Sequence, residues 1–196
     1  IKDAMDGISD IGLSSRDLKG EEASKVQSTV LAYDGVAVIT NTSNPVKELT
    51  IEQIRDIFTG KITNWNQIGG NDSPIVVVSR ETGSGTRTAF EEGVGYSEEE
   101  LVKTATISKG NGDVKTTVST NENAIGFVSF EYLDDAISAI NINGIKPTAE
   151  NVKAGSYVLS RPFLAVTNEQ YITEDTKNLI NLYSKIEWYD LFAHTI

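Results

Sequence analysis

The chain has 196 residues, of which 39% are hydrophobic and 23% charged, and its formal net charge is −11. These values are typical of a globular protein with one domain or two small lobes, and no apolar run approaches the ~20 residues of a membrane-spanning helix. The acidic charge and the scattered basic residues argue against nucleic acid as a partner, because such binding depends on clustered lysine and arginine.

The first half of the chain alternates between strands and helices. In chain order it is predicted to contain the end of a helix over 1–6, a strand over 9–13, a short helix over 20–26, and a long strand over 29–40 that is one strand or two. The clearest helix begins at Thr50, which can form a capping box with Gln53. One face of this helix carries Ile51, Ile54, Ile57 and Phe58, and Gly60 ends it.

The second half continues this alternation. Strands are predicted over 75–79, 124–130, 137–142 and 158–166, and helices over 85–92, 97–104, 112–119, 148–154 and 174–192. Strands that alternate with helices predict an α/β fold with mostly parallel sheets.

The stretch SRETGSGTRTAF (79–90) joins a valine-rich strand to a helix through two glycines and several hydroxyls. The first N–H groups of a helix lack intrahelical partners, so a glycine-rich turn lets an anion approach them closely. Arg80, at the end of the strand, can direct a charged fork to the same place, whereas Arg87 is expected to point away. The residues alone leave two interpretations open: an anion cradle, or an ordinary helix start capped by Ser84 or Thr86.

Nucleotide and catalytic motifs do not fit this chain. Gly85 is followed by Thr86 and Arg87 and not by the lysine of a Walker A loop, and the glycine spacing is not that of a dinucleotide fingerprint. The single histidine, His194, lies near the end of the chain, and no cysteine is present. A Ser-His-Asp set or a thiolate nucleophile is therefore not predicted, and neither is a metal or a cofactor.

Five blocks, in order, resemble the phosphate-binding proteins of bacterial ABC importers. They are DIGLSSRDL (10–18), AYDGVAVITNTSNPVKELTIEQIRDIFTGKITNW (32–65), SRETGSGTRTAF (79–90), NENAIGFVSF (121–130) and LSRPFLAVT (159–167). The resemblance implies a type II periplasmic-binding-protein-like α/β fold, with two lobes and a ligand cleft between them. It implies a partial first lobe over 1–39, a second lobe over 40–160 and a return to the first lobe over 161–196.

The resemblance also implies a phosphate site. The motif positions in the second lobe are Arg80, Ser84, Gly85 and Thr86, and the first lobe contributes from Ser14 and Ser15. Some relatives carry an aspartate where this chain has Ser15, and others carry one beside the arginine, where this chain has Thr82. Because a serine hydroxyl can donate as well as accept, Ser15 is expected to discriminate less strongly against sulfate.

The function implied is phosphate binding and delivery to ABC permease subunits, outside the cytoplasm, by a cell-surface lipoprotein or a periplasmic protein that is not an enzyme. The strand, helix and loop with which the family begins are expected to precede Ile1, so the first lobe is expected to be truncated and any membrane anchor to lie outside this chain. Self-association of the shortened lobe is a further expectation. A phosphate or oxyanion sensor or adhesin domain is the alternative, and an enzyme acting on phosphate esters is disfavoured.

Overall fold

The computed structural model describes residues 1–183. The α-helices in this range are α1 (Lys2–Met5), α2 (Gly20–Lys25), α3 (Ile51–Phe58), α4 (Gly85–Val94), α5 (Asn111–Thr120), α6 (Ala149–Lys153) and α7 (Glu174–Tyr183). Short 3₁₀ turns lie at Trp65–Ile68, Glu98–Glu100 and Phe130–Tyr132. None of these helices is long and apolar enough to span a membrane. The end of the predicted helix over 174–192, and His194, lie outside the described residues.

The strands are β1 (Gly12–Ser14), β2 (Gln27–Asn41), β3 (Glu48–Leu49), β4 (Val76–Arg80), β5 (Thr106–Ser108), β6 (Ala124–Ser129), β7 (Ile137–Ala139), β8 (Asn141–Ile142) and β9 (Ser160–Thr167). The chain divides into two compact units. Residues 35–160 form the central unit, and residues 1–34 with 161–183 form the terminal unit. The predicted division into lobes at 1–39, 40–160 and 161–196 stays a prediction.

The sheet of the central unit is mixed. Its strands run in the order β2, β6, β4, β5, and β7 also pairs with β2. Both neighbours of β4 are parallel to it, whereas β6 and β7 are antiparallel to β2. The predicted α/β class is therefore right, but the expectation of mostly parallel sheets is wrong, because two antiparallel pairings meet at β2.

Helices cover both faces of this sheet. On one face, α3 and α4 bury Phe58 and Phe90 against Phe127 of β6. On the other face, α5 buries Val114 and Val118. Strand β6 is buried along its whole length, as expected of a strand covered on both sides. Gly126 allows α5 to lie close, since a Cβ atom there would come 2.8 Å from Val114 Cγ1.

The terminal unit has a smaller core. Strand β9 lies between β1 and the first part of β2, and β1 pairs with β9 antiparallel. Ala4, Val26, Leu164 and Val166 form its buried cluster. Strand β1 is the edge strand of this unit, and the side chain of Leu13 within it is 74% exposed.

Several predicted elements are confirmed by the structure. Thr50 caps α3 and forms the predicted box with Gln53, and the predicted apolar face of that helix is buried except at its partly buried first residue, Ile51. The long segment over 29–40 is a single strand.

Other predicted elements are wrong for reasons that lie outside their own sequence. The predicted helix over 97–104 is only a 3₁₀ turn. The backbone leaves the helical conformation at Leu101, whose side chain is buried in the core, and Val102 donates its N–H to the carbonyl of Phe58 at 2.8 Å. The predicted strand over 137–142 is two short strands, because β7 pairs with β2 and β8 pairs with β3.

Candidate anion-binding site

Strand β4 ends at Arg80 and α4 begins at Gly85, so a four-residue turn carries the chain from sheet to helix. Gly83 has a φ of +87°, in the left-handed region that favours glycine. Ser84 is the N-cap, and its Oγ accepts from the backbone N–H of Arg87 at 3.2 Å. The helix ladder starts with the bond from Thr88 N–H to Ser84 O, which leaves the N–H groups of Gly85 and Thr86 outside it.

Two hydroxyls of this turn are available to a ligand. Ser84 and Thr86 are only 6% and 5% exposed. The Ser84 oxygen accepts the cap bond, and within residues 1–183 no acceptor takes the proton of the Ser84 hydroxyl or of the Thr86 hydroxyl. Because buried hydroxyls normally have partners, the turn has unused donors as well as an ordinary cap. The cap interpretation is confirmed for Ser84, and the anion cradle stays a prediction.

Arg80 is 8% exposed, and protein groups fix its guanidinium on two sides. Its Nε and Nη2 donate to the carboxylate of Glu81 at 2.7 and 2.9 Å, and its Nη1 donates to Asn111 Oδ1 at 2.8 Å. A guanidinium has five N–H groups, so one on Nη1 and one on Nη2 have no acceptor within residues 1–183. The charged fork predicted for the anion is thus reduced to these two groups, which are held in a fixed orientation.

Glu81 remains ionised beside this arginine. The hydrogen bond from Arg80, followed by bonds to backbone amides, lowers the pKa of Glu81 from 4.5 to about 2. The Arg80–Glu81 pair therefore has no net charge near neutral pH. An anion at this turn would be attracted by oriented N–H and O–H groups more than by net positive charge.

Arg87 contacts the turn, although the sequence predicted that it points away from it. It is 5% exposed, and its Nη1 donates to the carbonyl of Arg80 at 3.0 Å while its Nε donates to Glu91 at 2.6 Å. Its guanidinium therefore ties the start of α4 to the end of β4. Sequence reasoning missed this contact, because the side chain returns seven residues along the chain to a backbone atom.

A second helix begins beside Arg80. Strands β4 and β5 are parallel, with Arg80 opposite Ser108, so both strands end at the same edge of the sheet. Helix α5 follows at Asn111, and its N-cap, Gly110, provides no side-chain cap. The structure thus brings Arg80, Ser84, Gly85 and Thr86 together with Asn111.

Two predicted site residues, Ser14 and Ser15, lie in the terminal unit. Ser14 ends β1, and its Oγ donates to the carbonyl of Arg16 at 2.9 Å. Ser15 is exposed. Their part in the anion site stays a prediction.

A cavity of about 260 Å³ lies elsewhere in the central unit. Its lining consists of Ser43, Asn44, Pro45, Trp65, Asn71, Ser73, Glu122 and Asn123. These residues lie where β2 ends and where β4 and β6 begin, at the opposite end of the strands from Arg80. None of the predicted site residues lines it.

The fold is that of an α/β binding protein, and family comparison agrees. A family model described as a PBP superfamily domain matches residues 1–184. A substrate-binding protein from Clostridium perfringens, solved with bound phosphate, is 54% identical, with a TM-score of 0.78 over 97% of this chain and 79% of that one.

Other relatives agree with this class. An ABC-type phosphate transport receptor from Vibrio cholerae is 37% identical, with a TM-score of 0.88 over 97% of this chain and 80% of that one. The phosphate-binding protein PstS of Bacillus subtilis is 33% identical over 80% of this chain and 53% of its own length. The chain belongs to the PBP superfamily and, within it, to the substrate-binding proteins of phosphate ABC transporters. It spans 53% and 65% of the PstS proteins of B. subtilis and Borreliella burgdorferi.

Proposed function

We propose that this chain binds inorganic phosphate at the β4–α4 turn and serves an ABC importer as its phosphate-binding component. The observation that carries the proposal is the turn itself, where a buried, fixed arginine, unused hydroxyls and free helix amides converge. Relatives named as phosphate-binding proteins support it. Membership of a family of substrate-binding proteins also supports the prediction that the chain is not an enzyme.

Binding by this turn replaces the water shell of phosphate with protein donors. Desolvating an anion is costly unless each oxygen regains hydrogen bonds. A charge-assisted hydrogen bond contributes roughly 1.5–3 kcal/mol net, so several together reach micromolar affinity or tighter. Ser14 and Ser15 are proposed as the contribution of the first lobe, which we propose comprises residues 1–39 and 161–196. Residues 40–160 are proposed as the second lobe, which carries the turn. With Ser15 in place of an aspartate, sulfate should be rejected less strongly.

Titration calorimetry tests this proposal directly. Phosphate, sulfate and buffer alone are each titrated into the 196-residue chain, and saturable binding of phosphate is expected, with sulfate weaker. No heat beyond that of buffer would overturn the proposal. Stimulation of permease ATPase activity by the loaded chain distinguishes delivery from a sensor or adhesin role, and a phosphatase assay tests the enzyme alternative.

Replacing Ser84 with glycine separates its two roles. Glycine is a tolerated N-cap, so the free energy of unfolding should fall by only a few tenths of a kcal/mol. Loss of the hydroxyl donor should nevertheless weaken phosphate binding by about 1–2 kcal/mol. Calorimetry and urea unfolding measure the two effects. Thr88→Gly is the comparison variant, because the Thr88 hydroxyl donates to the backbone carbonyl of Ser84. This variant should lose stability, while its phosphate binding should change less than that of Ser84→Gly.

We further propose that the protein works outside the cytoplasm, held at the cell surface by a lipid anchor or free in a periplasm, and that ABC permease subunits are its protein partners. The name of the Vibrio cholerae relative, an ABC-type phosphate transport receptor, supports permease subunits as the partners.

Self-association of this chain is also proposed. Strand β1 is an edge strand, and two apolar side chains of the terminal unit, Ile8 and Leu13, are each 74% exposed. Unpaired edges and exposed apolar groups recruit other chains. Sedimentation should therefore show oligomers that Leu13→Lys reduces, while Val158→Lys, at a 51% exposed position of the central unit, does not. A stable monomer at all concentrations would contradict this.

A further inference from the structure

Asn111 is the first residue of α5, and the oxygen of its side-chain amide accepts a hydrogen bond. The donor is Arg80 Nη1, 2.8 Å from Oδ1, so the amide is oriented with its oxygen towards the guanidinium. The Nδ2 group, with two N–H donors, then lies on the other side of the amide. Within residues 1–183 no acceptor pairs with this Nδ2 group, although the residue is partly buried. Asn111 therefore has two donors that the protein itself does not use.

These donors lie close to those of Arg80. The oxygen and nitrogen of an amide are about 2.3 Å apart, so Nδ2 lies no more than about 5 Å from Nη1. One oxyanion oxygen can accept from two donors that are each about 2.9 Å away. A single oxygen, or two oxygens of one small anion, can therefore bond to Arg80 and Asn111 together.

We propose that Asn111 is a further ligand-contact residue of the anion site: its Oδ1 fixes Arg80 and its Nδ2 donates to the same bound oxyanion. This inference rests on the proposed function. It also gives a reason for an amide at this position. Glu81 already supplies a carboxylate to the Nε edge of Arg80, and a second carboxylate at position 111 would face the anion with its own negative charge.

Two substitutions distinguish this role from simple support of Arg80. Asn111→Asp keeps an acceptor for Arg80 and the side-chain shape, but it replaces the donor with a charged oxygen. Asn111→Ala removes both groups and adds no charge. If Nδ2 faces the ligand, phosphate binding should weaken about tenfold in the alanine variant and further, on the order of a hundredfold, in the aspartate variant.

The experiment is calorimetric titration of inorganic phosphate into the parent chain, both variants and Asn71→Asp. Asn71 is exposed in the loop before β4, so that variant carries the same charge change away from the turn and should bind like the parent. An aspartate variant that binds phosphate as tightly as the alanine variant, or more tightly, overturns the inference while the parent still binds. No binding by the parent overturns the proposed function and this inference with it. Should the aspartate variant fail to fold, an unchanged Kd in Asn111→Ala is sufficient to overturn it.

Discussion

Replacing Arg80 with alanine is expected to weaken phosphate binding by roughly 2–4 kcal/mol without abolishing it. The substitution removes the two N–H groups that remain for the ligand and leaves Glu81 without its partner. The carboxylate of Glu81 loses the partner that lowers its pKa, but it stays ionised near neutral pH and presents an uncompensated negative charge to the anion. The helix amides and hydroxyls at Ser84, Gly85 and Thr86 are unchanged and still attract phosphate. Calorimetry measures the loss.

Arg55→Ala is the matched control for this result. Arg55 is also an arginine of the central unit, but its side chain is 45% exposed and it pairs with Glu100 at 3.7 Å on the surface. Its loss should change phosphate binding little, because surface ion pairs contribute about 0–1 kcal/mol and are screened. Arg87→Ala is not a neutral control, since Arg87 is buried and holds the carbonyl of Arg80. Parent-like binding by Arg80→Ala would remove Arg80 from the site.

Replacing Phe90 with alanine is expected to lower the free energy of unfolding by about 3–5 kcal/mol, because it leaves a cavity in the core. Phe90 is fully buried on α4, and its ring stacks on Phe127 at 4.0 Å and lies 4.7 Å from Phe58. This contact holds the helix that carries the anion turn against the sheet. Equilibrium unfolding in urea, analysed at a constant slope, measures the change.

Val158→Ala provides the comparison for the core substitution. Its side chain is 51% exposed, so its truncation should alter the free energy of unfolding by no more than about 0.5 kcal/mol. Equal losses in the two variants would contradict the position of Phe90 in the core. Added phosphate should raise the stability of Phe90→Ala and of the parent alike, provided that the turn still forms.

Local sequence signals predicted the parts of the fold that depend on neighbouring residues. The capping box of Thr50 and Gln53 and the apolar face that follows it define α3 before any tertiary contact is considered. The alternation of strands and helices gave the α/β class. It did not give the direction of the strands, because β6 and β7 pair with β2 through contacts between distant parts of the chain.

Two of the short strands, β3 and β5, left no signal that could be recognised in the sequence. β3 has two residues and β5 has three, too few for a periodic pattern, and each exists because a partner strand lies beside it. The same limit explains the 3₁₀ turn at Glu98–Glu100. Three glutamates after a serine favour a helix start, but the buried side chain of Leu101 ends the turn.

The sequence by itself determined the local geometry of the β4–α4 turn, which stays a predicted anion site. A strand that ends in arginine, a glycine with positive φ, and a serine N-cap are properties of consecutive residues, and covalent geometry keeps Arg80, Ser84 and Thr86 within one turn of each other. Only the tertiary structure decided what that arginine can offer a ligand. Asn111 lies 31 residues further along the chain and reaches Arg80 because β4 and β5 are parallel neighbours. Which N–H groups of Arg80 remain free depends on such long-range pairing, and no local pattern encodes it.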